Sequence, residues 1–143
     1  MKGARRGLLL IGAAGVLMSG YIHFYLYYWG GYRGISIDRV GGLDISRSFA
    51  LNAIAGLVIA ELLVISWRAH RLERLAAVLG VSFAAGAIGA YVLARTSGLL
   101  GFSENGWSAE AVIAEVAQVV AVLSLGGYLV ASVRTSGAEV SSS

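Results

Sequence analysis

Four long apolar runs constrain the fold of this sequence more than any other feature. They cover about residues 7–29, 49–67, 75–94 and 109–133. The second is the shortest, at 19 residues, yet it forms roughly 28 Å of α-helix, close to the ~30 Å hydrocarbon thickness of a bilayer. A helix also satisfies its own backbone polar groups in lipid. We therefore expect an all-α, integral membrane four-helix bundle over residues 1–134, followed by a disordered tail over 135–143.

The composition agrees with a membrane protein and argues against most kinds of enzyme. Hydrophobic residues make up 57% of the chain and charged residues 13%, whereas soluble domains average about 25% charged residues. The chain has no cysteine, which excludes thiol nucleophiles and iron–sulfur clusters. It also lacks a glycine-rich phosphate loop, Gly-x-Ser-x-Gly and His-Glu-x-x-His. We expect no enzymatic activity, no catalytic residue, no cofactor and no nucleic acid partner.

The basic residues beside the runs predict the orientation in the membrane. Lysine and arginine are enriched in cytoplasmic segments. Seven flank one side of the spans and four flank the other, which predicts that both termini are cytoplasmic. The first group is Lys2, Arg5, Arg6, Arg68, Arg71, Arg74 and Arg134, and the second is Arg33, Arg39, Arg47 and Arg95.

Small residues predict where the helices approach one another, because they allow close contact between backbones in lipid. The third run is richest in them, with small pairs four residues apart between Gly80 and Ala90. We expect the third helix to be central, and the Gly86→Leu variant to be destabilised. The first run offers Gly15 and Ser19 at the same spacing.

Polar residues inside apolar runs are the candidate functional residues, because each is unfavourable in lipid unless it faces the bundle or water. Six of them share one level near the predicted outer end of the spans: His23, Tyr27, Asn52, Arg95, Glu115 and Gln118. Glu61 alone lies in the inner half of its span. A zinc site usually needs four ligands, and the runs contain one histidine, so no metal site is assigned.

This cluster has two interpretations. In one, His23 and Glu115 bind a metal or relay protons, and Arg95 tunes the carboxylate. In the other, the cluster is structural: Arg95 neutralises Glu115, and His23 hydrogen-bonds Asn52, Gln118 or a tyrosine. Glu61 is expected to be neutral, exposed to water in a cavity, or bonded to a neighbour such as Ser82, with a proton-handling role as the alternative.

Several short motifs resemble those of a family. The segment from His23 to Ile35 contains Gly-Tyr-Arg-x-Ile, Phe49 opens Phe-x-Leu-Asn, and Gly98 opens Gly-Leu-x-Gly-Phe-x-Glu. Together they resemble an uncharacterised group of short four-span membrane proteins from actinobacteria. The resemblance implies the four-span architecture and no particular activity. It also implies that a group of residues lies together on the outer side: His23, Tyr32, Arg33, Asn52, Glu104 and Glu115. Trp107 belongs to the same predicted outer loop as Glu104. Leu100 departs from the group, which has proline there.

Two functions remain as expectations. The first is a non-catalytic accessory or scaffold subunit of a bacterial membrane complex, with the lipid bilayer and other membrane-protein subunits as partners. The alternative is a small binder or carrier of a lipid, quinone, metal or proton that uses the outer polar cluster.

Overall fold

Four α-helices follow one another along the chain in the computed structural model, which describes residues 2–35, 43–67 and 72–140, without the side chains of 2 and 134–140. The helices are α1 (Lys2–Tyr28), α2 (Ile45–Ser66), α3 (Glu73–Thr96) and α4 (Ala109–Val140). Each contains a segment long and apolar enough to cross a membrane. The predicted all-α architecture of four helices, each long and apolar enough to cross a membrane, is thus confirmed.

Each helix differs in its bounds from the predicted run. Helix α1 begins at Lys2 rather than at about residue 7, and α3 is two residues longer at each end. Helix α2 begins four residues before the predicted 49, because the Asp44 carboxylate caps it by accepting the Arg47 N–H at 2.8 Å. Helix α4 continues to Val140, so residues 135–140 are helical where a disordered tail was predicted. No proline interrupts this stretch, so an established helix can extend through it. The end of that tail, 141–143, lies outside the described residues.

The helices form an antiparallel ring in chain order. Helices α1 and α3 each pack against both α2 and α4, and a smaller α1–α3 contact crosses the ring. Arg5 near the start of α1 donates to Ser132 Oγ of α4 at 2.8 Å, so the two termini lie at one end. We call this the terminal end, and the opposite end, with the α1–α2 and α3–α4 connections, the loop end. Of the residues in the orientation count, Arg39, Arg68 and Arg71 lie outside the described residues.

The closest helix contacts involve α1, and the prediction that α3 is central is wrong. A Cβ added to Gly56 of α2 would lie 2.8 Å from the Gly20 Cα, and one added to Gly15 would lie 2.6 Å from the Ala117 carbonyl oxygen of α4. Gly86 instead is exposed, with open space where a Cβ would be. Helix α3 packs through another face, which includes the buried residues Ala76, Ala77, Gly80, Ala84, Ala87 and Ala94.

The apolar core lies towards the terminal end. Leu125 of α4 is fully buried and fits into the space left by two glycines, Gly12 of α1 and Gly80 of α3. Val16 and Leu63 complete this layer from α1 and α2. Beyond it, towards the loop end, polar side chains replace apolar ones in the interior and the packing opens into a cavity.

Candidate ligand-binding pocket

A cavity of about 120 Å³ lies inside the loop end and is lined by all four helices and both connecting loops. We call it the loop-end pocket. Its polar lining includes six residues that the sequence singled out: His23, Tyr32, Asn52, Glu104, Glu115 and Gln118. Residues that are far apart in the chain therefore share one site.

Three polar side chains of the pocket each direct one N–H donor to a nearby acceptor. The His23 Nδ1–H donates to the Ser19 carbonyl at 2.8 Å, and the Asn52 amide donates to the Ser48 carbonyl at 3.2 Å, each one turn back on its own helix. The Gln118 amide donates to Ser19 Oγ at 3.0 Å. Because a carbonyl can only accept, His23 carries a proton on Nδ1, and Nε2 of the neutral ring is an acceptor.

Several hydrogen-bond acceptors of the pocket have no partner among the described residues. Gln118 is only 1% exposed, yet its Oε1 has no hydrogen-bond partner. Within the described part of the chain, His23 Nε2, Asn52 Oδ1 and the Glu115 carboxylate also make no hydrogen bond. Gln118 Oε1 is fully buried, and a buried acceptor without a partner is destabilising by about 1–3 kcal/mol. The pocket therefore favours an occupant that donates hydrogen bonds.

Aromatic rings form the wall of the pocket nearest the loops. Tyr32 stacks on Phe49 with ring centroids 4.4 Å apart, and Phe49 lies 5.3 Å from the His23 ring. Phe102 meets Tyr32 edge-on at 5.6 Å. Aromatic faces attract cations as well as apolar groups, so this wall suits a small ammonium group.

A tight turn holds Phe102 in this wall. Leu99 and Phe102 exchange two backbone hydrogen bonds, at 2.8 and 2.9 Å, around Leu100 and Gly101. Leu100 has a φ of 52° and Gly101 a φ of 73°, the left-handed pair of a type I′ turn. Proline, with φ near −65°, could not adopt the Leu100 conformation. The turn in this chain is thus incompatible with the proline that the actinobacterial group has at the position of Leu100.

Two carboxylates lie close enough to Tyr32, on the loop side of the pocket, to affect its pKa. Burial raises the pKa of Tyr32 above its ordinary value of 10.0, and the carboxylates of Glu104 and Glu110 raise it further. Glu104 lines the pocket itself, and its Oε1 accepts the Gly106 N–H at 3.3 Å. The electrostatic environment therefore favours a positively charged occupant.

Arg95 lies outside the pocket, and the predicted neutralisation of Glu115 by Arg95 is wrong. The Arg95 guanidinium donates to the Gly106 carbonyl at 2.6 Å and lies 4.4 Å from the centre of the Trp107 ring. No ion pair joins it to Glu115 in the described part of the chain. Arg95 is in the last turn of α3, so its long side chain reaches the loop rather than the interior.

Three other candidates also lie outside the pocket. Tyr27 packs edge-on against Tyr28 at 5.0 Å, and the Arg33 guanidinium lies 5.5 Å from the centre of the Tyr28 ring. Trp107 is 67% exposed beside Arg95. These side chains surround the loop end without lining the cavity.

The expected bond between His23 and Asn52 is also absent, since both donors find backbone carbonyls on their own helices. Such carbonyls are within reach of any polar side chain one turn later. Sequence reasoning did not assign Ser19, Tyr91 or Phe102 to the site. The position of Ser19, one turn before His23, is the signal that could have indicated its role.

Neither a metal site nor a bond between Glu61 and Ser82, one of the alternatives for Glu61, is found in the described part of the chain. Among the described residues, no group of three or more histidine, aspartate or glutamate side chains could hold a metal ion. Glu61 is exposed between α1 and α2, away from the loop-end pocket. It makes no hydrogen bond to Ser82 or to any other residue that the structure describes.

No family model, curated protein or solved structure matches this chain. The resemblance to the actinobacterial group therefore stays a prediction. The pocket has to be interpreted from its own chemistry.

Proposed function

We propose that this chain is a non-catalytic, multi-pass membrane protein that binds a small protonated amine in the loop-end pocket. The observation that carries the proposal is the buried Gln118 Oε1 without a partner, one of several free acceptors around the cavity. An ammonium group brings several N–H donors and a positive charge to acceptors and carboxylates.

The size of the cavity narrows the ligand. An engineered cavity of about 150 Å³ holds one benzene molecule, and the loop-end pocket is smaller, at about 120 Å³. It suits an ammonium group with a short carbon chain, or the amine of a lipid headgroup. A quinone fits less well, because its carbonyls accept hydrogen bonds and cannot bond to the buried acceptor Gln118 Oε1.

We also propose that the protein resides in the bacterial cytoplasmic membrane with both termini in the cytoplasm. The excess of lysine and arginine beside the terminal-end segments supports this orientation. The loop-end pocket would then open towards the outer side. A role as a subunit of a larger membrane complex stays a prediction.

A thermal unfolding series on purified protein in detergent tests the proposal. Methylammonium and ethanolammonium chlorides should raise Tm above the value in potassium chloride of equal ionic strength. A ligand at about 100 times its Kd adds about 2.7 kcal/mol of stability. The Glu115→Gln variant should lose most of the increase.

Glu61→Gln is the matched control, since it removes a carboxylate that neither lines the loop-end pocket nor acts on Tyr32. This variant should keep most of the increase in Tm. Equal effects of ammonium and potassium salts on the unaltered protein would contradict the proposal.

A further inference from the structure

A shallow groove runs along the seam between α1 and α2, on the surface that faces away from α3 and α4. Two adjoining hollows form it, with volumes of about 430 and 330 Å³, and Leu17 and Leu57 line both. The lining is almost entirely apolar, and the side chains of Leu10, Leu17, Ile54, Leu57, Val64 and Ile65 are exposed along it. We call this surface the α1–α2 groove.

Glu61 is the charged residue of this groove. It lies five residues before the end of α2 at Ser66, about 7.5 Å along the helix, and so within the membrane-spanning segment. It is exposed and makes no hydrogen bond or ion pair with any residue that the structure describes. A carboxylate that faces hydrocarbon without a partner is strongly unfavourable.

The nearest basic residue on α1 does not neutralise Glu61. Arg6 lies one turn beyond Leu10, and its guanidinium lies 5.8 Å from the centre of the Trp67 ring. No ion pair joins Arg6 to Glu61 in the described part of the chain. Glu61 therefore has no counter-charge among the residues that the structure describes.

We infer that the α1–α2 groove binds one transmembrane helix of a different protein, which carries a lysine or arginine at the depth of Glu61. The seam between two helices accepts the side-chain ridge of a third helix, and a cation in that ridge pairs with the carboxylate. A second copy of this chain fits less well, because a symmetric contact through this face brings two Glu61 carboxylates together. The groove is separate from the loop-end pocket, so this inference does not depend on amine binding.

Synthetic single-span peptides in phosphatidylcholine vesicles test the inference. One peptide of leucine and alanine carries a lysine at the depth of Glu61, and its twin carries leucine there. Energy transfer between a dye on the peptide and a dye on this protein reports association. The lysine peptide should bind about tenfold more tightly than its twin, as expected for one interhelical polar contact.

Two variants separate a specific contact from general attraction. Glu61→Gln should remove most of the preference for the lysine peptide, whereas Glu110→Gln, which removes a carboxylate outside the groove, should retain it. Equal binding of the two peptides to the unaltered protein would overturn the inference. A preference for the lysine peptide that is unchanged in Glu61→Gln would also overturn it. The same holds if the protein pairs with itself through the groove and thereby prevents peptide binding.

Discussion

Ser19 shows at the residue scale how the pocket acquires its character. Its carbonyl accepts the Nδ1–H of His23, and its hydroxyl accepts an N–H of Gln118. Both donors bond to Ser19, while His23 Nε2 and Gln118 Oε1 have no partner among the described residues. The position of each residue along its predicted span was sufficient to place His23, Asn52 and Glu115 at one level of the bundle. It could not predict their bonding partners, because the choice between a nearby carbonyl and a facing helix depends on side-chain geometry.

Gln118→Leu distinguishes a ligand-binding role from a structural one. Leucine has a similar size and removes both the unsatisfied Oε1 and the bond to Ser19. Because these two effects oppose each other, we expect the free energy of unfolding to change by less than about 1 kcal/mol. The increase in Tm caused by methylammonium should disappear. Chemical denaturation in detergent measures the first effect and thermal unfolding the second. A loss of stability well above this range would identify Gln118 as a structural residue instead.

Tyr32 reports the negative charge beside the pocket. The Glu104 carboxylate contributes to its raised pKa, so the Glu104→Gln variant should titrate Tyr32 at a lower pH than the unaltered protein. The pKa should stay above the ordinary value of 10.0, because burial is the larger cause. Nuclear magnetic resonance of isotope-labelled tyrosine, assigned with a Tyr32→Phe variant, measures this. An unchanged pKa would mean that Glu104 does not act on the pocket.

Helix faces, rather than numbers of small residues, decide the packing at the element scale. Hydropathy alone predicted the four spans, because each must satisfy its own backbone in lipid. It could not predict which small residues meet, since α3 has them on more than one face. Gly80 contacts the core, whereas Gly86, also on α3, faces outward.

Alanine substitutions of three glycines test this packing. A Cβ at Gly20 or Gly56 would meet the backbone of the other helix, so each variant should lower the free energy of unfolding by about 1–3 kcal/mol. Gly86→Ala is the control and should keep or slightly raise stability, since alanine favours helix over glycine. Denaturation in detergent compares the three. Equal losses in all of them would contradict the observed contacts.

The molecule as a whole has an apolar core at its terminal end and a polar cavity at its loop end. Basic side chains at the terminal end support a cytoplasmic location for both termini. A fluorescent protein fused after Ser143 should therefore be fluorescent, and alkaline phosphatase at the same point should be inactive. Alkaline phosphatase inserted after Asn105, in the α3–α4 loop, should be active. The reverse pattern would place the loop-end pocket on the cytoplasmic side.

The central claim is that an amine occupies the loop-end pocket beside the free acceptors, and the resonance of His23 Nε2 tests it most directly. In a His70→Ala background, His23 is the only histidine, so nitrogen-labelled histidine gives signals from one ring. On addition of methylammonium we predict a saturable shift of Nε2, with Nδ1 less affected because it stays bonded to Ser19. The shift should be much weaker in the Gln118→Leu variant. A Nε2 signal that does not respond to methylammonium at saturating concentration would contradict the claim.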